Sequence, residues 1–187
     1  MSAGRKEGMK PMSQAGAPPR VITEALRMQF NSSFHMLEKL VEVCPDSVWY
    51  SSFHEDPFWY HAYHVTFFID YWFRDKYDGS EFRSMTFDER IPPEFEHDVP
   101  DGLSISREDM AEFLRRVKAK TAKIFDNLDD ARIALPIIDG QLNYTYADVI
   151  AGQIRHIMYN IGYLNGILRG KGLEESDWYS YNEEEPQ

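Results

Sequence analysis

The chain has 187 residues, 31 of them Asp or Glu and 20 Lys or Arg, for a formal net charge of −11. That length suits one domain, and 43% hydrophobic residues can fill a sizeable core. The acidity argues against a nucleic-acid binder, which would show a basic patch or stripe, and disfavours an anionic membrane surface as partner.

Residues 1–19, rich in Gly, Pro and Ser, are expected to be flexible. They have a basic start but no apolar h-region, so they do not read as a secretory signal. A single domain is expected over residues 20–178, then an acidic tail at 179–187. No run of about 18 apolar residues is present, so no transmembrane helix is expected.

The first helix is predicted from about Val21 to Val43. Leu26, Phe30, Phe34, Leu37, Leu40 and Val41 recur at three- and four-residue spacing, between Pro19 and Pro45. Cys44, just past its end, reads as a packed thiol. As the only cysteine it can form neither an intrachain disulfide nor a paired-cysteine zinc site, and a reducing, cytoplasmic compartment is expected.

The second helix is predicted from about Pro57 to Lys76, with Asp56 as its N-cap. It is rich in Phe, Tyr and Trp, and its length exceeds that of a normal strand. A long connection from Tyr77 to about Leu103 follows, holding Gly79, Pro92-Pro93, Pro100 and Gly102. It reads as a crossover strap or as cover for a binding cleft.

The third helix is predicted from about Arg107 to Leu128, capped by Ser106, with Glu108 and Asp109 in its first turn. Arg115, Arg116, Lys118, Lys120 and Lys123 read as its solvated face. Leu135 to Asn143 reads as a turn around Asp139-Gly140, with a short extended piece near Ile137. The fourth helix is predicted from about Tyr146 to Arg169. Thr145 and Asp148 would form a capping box, and Gly170 the C-cap. The expected architecture is therefore all-α: an antiparallel four-helix bundle with a long connection between its second and third helices.

Chemistry-bearing residues concentrate on two helices. His61 and His64 share a face of the second, and His156 and Asn160 share a face of the fourth, with Gln153 and Tyr163 a turn to either side. If these helices are neighbours, one imidazole from each can converge in the core, where bundles host metal sites. The competing reading is a buried, hydrogen-bonded polar cluster. Tyr60, Tyr63, Tyr71 and Tyr163 read as core residues with a polar end, and His35, His54 and His97 as surface or packing residues. Gly162 and Gly166 each weaken a helix interior, and close helix or subunit contact is the expected compensation. No glycine-rich phosphate loop or nucleophile elbow is present.

The run Pro57-Phe58-Trp59-Tyr60-His61-Ala62-Tyr63-His64 followed by FFIDYWF resembles the second helix of the DinB/YfiT-like superfamily. QIRHIMYNIGYLNGILRG, from Gln153 to Gly170, resembles that family's last bundle helix. The resemblance covers roughly Val21 to Trp178. It implies a four-helix bundle, often dimeric, with a divalent-metal site made by one histidine of the second helix and a His-x-x-x-His pair of the last. Some members are metal-dependent thiol transferases or isomerases.

Carried onto this chain, the resemblance implies His64 and His156 as ligands, with His61 as the alternative on the second helix. Asn160 stands where the second histidine of the pair is expected, and an amide oxygen is a harder, weaker ligand. The implied cofactor is zinc or nickel, in a site that Asn160 can leave degenerate. The implied function is a metal-dependent hydrolase or thiol transferase acting on a small molecule. The alternative is a non-catalytic small-ligand-binding or dimerising helical bundle. A homodimer is expected, with no nucleic-acid or membrane partner.

Overall fold

The computed structural model describes residues 18–53, 56–74, 87–97, 99–137 and 144–180. Residues 1–17 of the N-terminal segment, His54, Gly79, the Asp139-Gly140 turn and the tail beyond residue 180 lie outside the described residues.

The chain is mostly helical. α1 (Val21–Val43) buries Phe30, Phe34, Leu37, Leu40 and Val41 along one face, the stripe its spacing predicts. Cys44 ends it, fully buried, its amide donating to the Leu40 carbonyl at 3.2 Å. Burial pushes the Cys44 thiol up to about 12, against a smaller downward pull from Arg107, so it is no ready thiolate.

Two short elements follow that carry no readable period. α2 (Asp46–Trp49) starts at extended Pro45 and buries Trp49, whose indole donates to the Ile105 carbonyl at 2.8 Å. β1 (Ser52–Phe53) and β2 (Asp56–Pro57) then pair antiparallel, Ser52 opposite Pro57 and Phe53 opposite Asp56.

Pro57 is extended, with ψ 155°, and is the residue that leads into α3 (Phe58–Trp72). Asp56 is therefore in the strand and is not the N-cap; the proline ring fixes the entry instead. α3 also stops at Trp72, short of Lys76. It buries Phe58, Trp59, Tyr60, Ala62, Tyr63, Val65, Phe67 and Ile69, on nearly all sides, as suits a helix apolar all round.

The described part of the long connection is a strap laid against α3. Ile91 is buried, and Phe87, Phe95, Val99 and Leu103 pack on the core. Tyr60 Oη donates to the Glu94 carbonyl at 2.7 Å and ties the strap down.

α4 (Arg107–Asp126) begins where Ser106 Oγ accepts from the Asp109 amide at 3.0 Å. Arg115, Arg116, Lys118 and Lys123 face solvent, but Lys120 does not: its ammonium reaches Asp70 Oδ1 at 2.9 Å. A 3-10 turn (Arg132–Ala134) and an isolated bridge, Pro136 with Thr145, lead to α5. α5 (Tyr146–Gly170) starts with the reciprocal Thr145–Asp148 capping box. Its left-handed terminator is Gly172, at φ +67°, and Gly170 is the last helical residue. The Leu173 amide closes back on the Leu168 carbonyl at 3.0 Å, the six-to-one bond of such an ending.

Past α5 the chain turns back on the helices. Asn165 and the Ser176 backbone exchange two bonds, of 2.8 and 3.0 Å. Tyr179 packs on His35 with centroids 4.2 Å apart and the rings tilted at 46°, so the described chain stays packed past residue 178.

α1 packs against α4 and α5, and α3 packs against the same two. α3 and α5 are thus neighbours, the condition for their histidines to meet. Among the described residues a Cβ added at Gly162 or Gly166 would meet nothing within 4 Å, so close packing by those residues does not explain these glycines. Among the described residues no helix is long and apolar enough to cross a membrane.

Candidate functional site

His64, in the middle of α3, and His156, in the middle of α5, point at each other. Their Nε2 atoms are 3.1 Å apart and their rings stand at 74°. The other nitrogen of each ring is also engaged. His64 Nδ1 lies 2.7 Å from the carbonyl oxygen of Pro93 in the strap. A carbonyl can only accept, so Nδ1 carries the hydrogen and Nε2 of neutral His64 has a bare lone pair. His156 Nδ1 lies 3.4 Å from Oε1 of Gln153, one turn earlier on α5.

With both Nδ1 hydrogens given to oxygens, two Nε2 lone pairs face each other. That contact is repulsive unless something positive lies between them. Histidine ligands of metals characteristically donate their second ring nitrogen to a carbonyl or carboxylate in this way. Two nitrogens each about 2.0–2.1 Å from one zinc ion stand roughly 3.3 Å apart at the tetrahedral angle. The observed 3.1 Å is close to that. It is also the length of a single N–H···N bond, which forms if His156 carries its hydrogen on Nε2 and the Gln153 amide is turned.

Burial sets the charge state. It pushes His156 down to about 4, with neighbouring His64 adding a smaller push in the same direction. It lowers His64 too, opposed by the Pro93 bond and by Glu96 and Glu94. Both rings are therefore neutral at neutral pH, the form that binds metals.

His61 is one turn back on α3, apart from the pair. It packs between Phe95 at 4.6 Å and Tyr163 at 4.8 Å, and its buried Nδ1 has no hydrogen-bond partner among the described residues. Burial, followed by the push of His64, lowers it to about 4. Asn160 is buried at the expected place on α5, but its amide donates to the His156 carbonyl at 2.9 Å, within its own helix. Among the described residues no three His, Cys, Asp or Glu side chains gather as a ligand group. The donor set is thus two convergent imidazoles, an amide bonded to its own helix and an unpaired imidazole one turn away.

Three further residues shape the site. Phe95 stacks on His64 at 4.1 Å, and Pro93 fixes its tautomer. Phe68 lies 4.9 Å from His64 and 6.0 Å from His156. The strap residues are placed by tertiary packing, and the Pro92-Pro93 pair in a long connection was their only signal. Beyond Phe68 a cavity of about 470 Å³ opens between α3 and the strap. On the other side, Gln153 borders a second space of about 310 Å³ with Trp72, Tyr144 and Arg155. Comparison with family models, with curated proteins and with solved structures finds no match to this chain.

Proposed function

We propose that the chain is a DinB/YfiT-like antiparallel four-helix bundle. In this reading His64 and His156 bind one divalent metal, zinc or nickel, at a site serving a small molecule as a metal-dependent hydrolase or thiol transferase. The observation that carries it is the 3.1 Å approach of two Nε2 atoms whose Nδ1 partners are both oxygens. The pairing of α1 and α3 each with α4 and α5 supports the bundle. A divalent ion held there would polarise a carbonyl or lower the pKa of a water or thiol. The chain's own residues hold the imidazoles: Pro93 and Gln153 orient them, and Phe68 and Phe95 shield them. Remaining ligands would come from substrate or water, or from Asn160 or His61 after a side-chain rotation.

The proposal places the protein in the cytoplasm and includes a homodimer built on the outer face of α5. Tyr159 there is 80% exposed, and Gly162 and Gly166 lie open beside it.

A second reading has its own support. Two imidazoles are fewer than the three protein ligands of ordinary catalytic zinc sites, and 3.1 Å suits a hydrogen bond. The chain would then be a binding bundle with a degenerate metal site. Metal content of tag-free protein, measured by plasma mass spectrometry beside His64→Ala and His156→Ala, separates the two. Near-stoichiometric metal, lost in both variants, is the expected result. No metal, even after incubation with zinc, nickel and manganese, overturns the first reading in favour of the second.

A further inference from the structure

The cavity beside the imidazole pair has a composition that narrows its ligand. Phe67, Phe68, Tyr71 and Trp72 of α3 form one wall, and the strap from Glu89 to Glu94 forms the other. Its volume of about 470 Å³ is that of a small-molecule site. Phe67 and Tyr71 lie nearly parallel, at 17°, but the other two rings cross them. Phe68 stands at 82° to Phe67 and 70° to Tyr71, and Tyr71 stands at 86° to Trp72. Rings set near right angles can turn their negative faces to one volume from several sides. One of these rings already receives a cation: the Arg74 guanidinium lies 4.1 Å from the Tyr71 centroid.

The strap contributes carboxylates. Glu89 and Glu94 line the cavity and are exposed. Among the described residues of the strap the arginine, Arg90, is engaged, since Asp88 chelates its guanidinium at 2.5–3.1 Å. A neutral apolar ligand would use the rings and leave the carboxylates idle, and an anion would be repelled. Aromatic faces with carboxylates at the rim suit an organic cation.

We propose that this cavity binds a small organic cation, an alkylated ammonium or protonated amine on a short apolar body. Its charge lies against the rings and the Glu89 and Glu94 carboxylates, and its other end is directed past Phe68 to His64 and His156. This names the ligand class for the site proposed above. It rests on that reading for the chemistry done on the ligand, and not for binding.

The test compares choline with its uncharged isostere 3,3-dimethylbutan-1-ol, each titrated against the full chain by ligand-observed NMR on its methyl signal. Choline is expected to bind about 10-fold more tightly than the isostere, an advantage that shrinks with added salt. Glu89→Gln with Glu94→Gln should remove most of that preference and leave the isostere's affinity unchanged. Both glutamates are exposed, so the fold is not at stake. Trp72→Leu should weaken choline selectively.

Equal affinity for the two probes overturns the inference. So does a preference untouched by the double glutamate substitution, or no binding of choline at its highest soluble concentration. Choline binding that survives in a chain which never takes up metal sinks the metal reading alone. Metal bound at His64 and His156 without choline binding sinks this inference alone.

Discussion

α3 sends polar groups in two directions, to α4 and to α5, and the two contacts follow opposite rules. Toward α4, fully buried Asp70 receives Lys120 at 2.9 Å on its carboxylate, and the same ammonium donates to the Asp70 carbonyl at 2.9 Å. Opposite charges meet there and donors match acceptors. Toward α5, His64 meets His156 at 3.1 Å, and burial holds both neutral. Like meets like there, and the contact is completed only by a shared proton or a cation. Sequence distance does not separate them, for His64 and Asp70 are less than two turns apart on one helix. The side chain supplied by the facing helix decides which contact is a staple and which is a site.

The largest expected effect breaks the staple. Lys120→Ala removes one partner of a buried carboxylate, which costs up to about 3–5 kcal/mol. Denaturant unfolding should show that loss. Asp70→Asn combined with Lys120→Met, which removes both charges at similar volume, should recover most of it. A loss below about 1 kcal/mol for Lys120→Ala would mean the pair is not closed, and the contrast with the histidines would fail.

The next effect concerns the open pair. Without metal, burial holds His61 and His156 near 4 in the folded chain, against about 6.5 unfolded. Between those values the unfolded chain takes up protons that the folded site refuses. Stability is therefore full above pH 6.5 and falls as pH drops toward 4, by something on the order of 3 kcal/mol for the two rings together once solvent screening halves the unscreened value. Carboxylates titrate in the same window, so the measurement is a difference. Chelator-treated wild type should lose more stability between pH 6.5 and 4 than His61→Phe combined with His156→Phe. Parallel curves would show that these rings are not held neutral, and the electrostatic half of the contrast would go.

What was legible in the sequence follows from which forces are local. α1 spans the predicted range, and α4 and α5 start where predicted, because periodic apolar residues and caps act over three or four positions: Ser106 to Asp109, and Thr145 with Asp148. Elements of two to four residues, α2 and the β1–β2 pair, show no period and were missed. Gly172 and Gly170 both sit near the end of α5, and only backbone φ tells which one turns the chain. Lys120 reads as solvated in the sequence because nothing near it marks it apart from Lys118 or Lys123. Its partner lies 50 residues away. At the site, face-sharing found His64 and His156. Pro93 and Phe95 were beyond reach because the strap's path is set by contacts such as Tyr60 with Glu94. Asn160 was placed on the right helix face, but its amide bonds to the backbone one turn back, a choice that spacing cannot reveal.

The smallest effect sharpens the comparison from the α5 side, where the face opposite the core is the place for a second copy. Gly162 and Gly166 cost helix stability, and an added Cβ at either meets nothing within 4 Å among the described residues. In an isolated chain each change to alanine should therefore gain about 0.5–1 kcal/mol from backbone entropy alone. A second copy packed closely on this face would make the same methyl groups unwelcome. Gly162→Ala combined with Gly166→Ala should then raise Tm at low protein concentration and weaken self-association at high concentration, followed by sedimentation. A rise in Tm with association unchanged would move the dimer contact off this face. The inner face of α5, with His156, would then stand as its sole candidate functional surface.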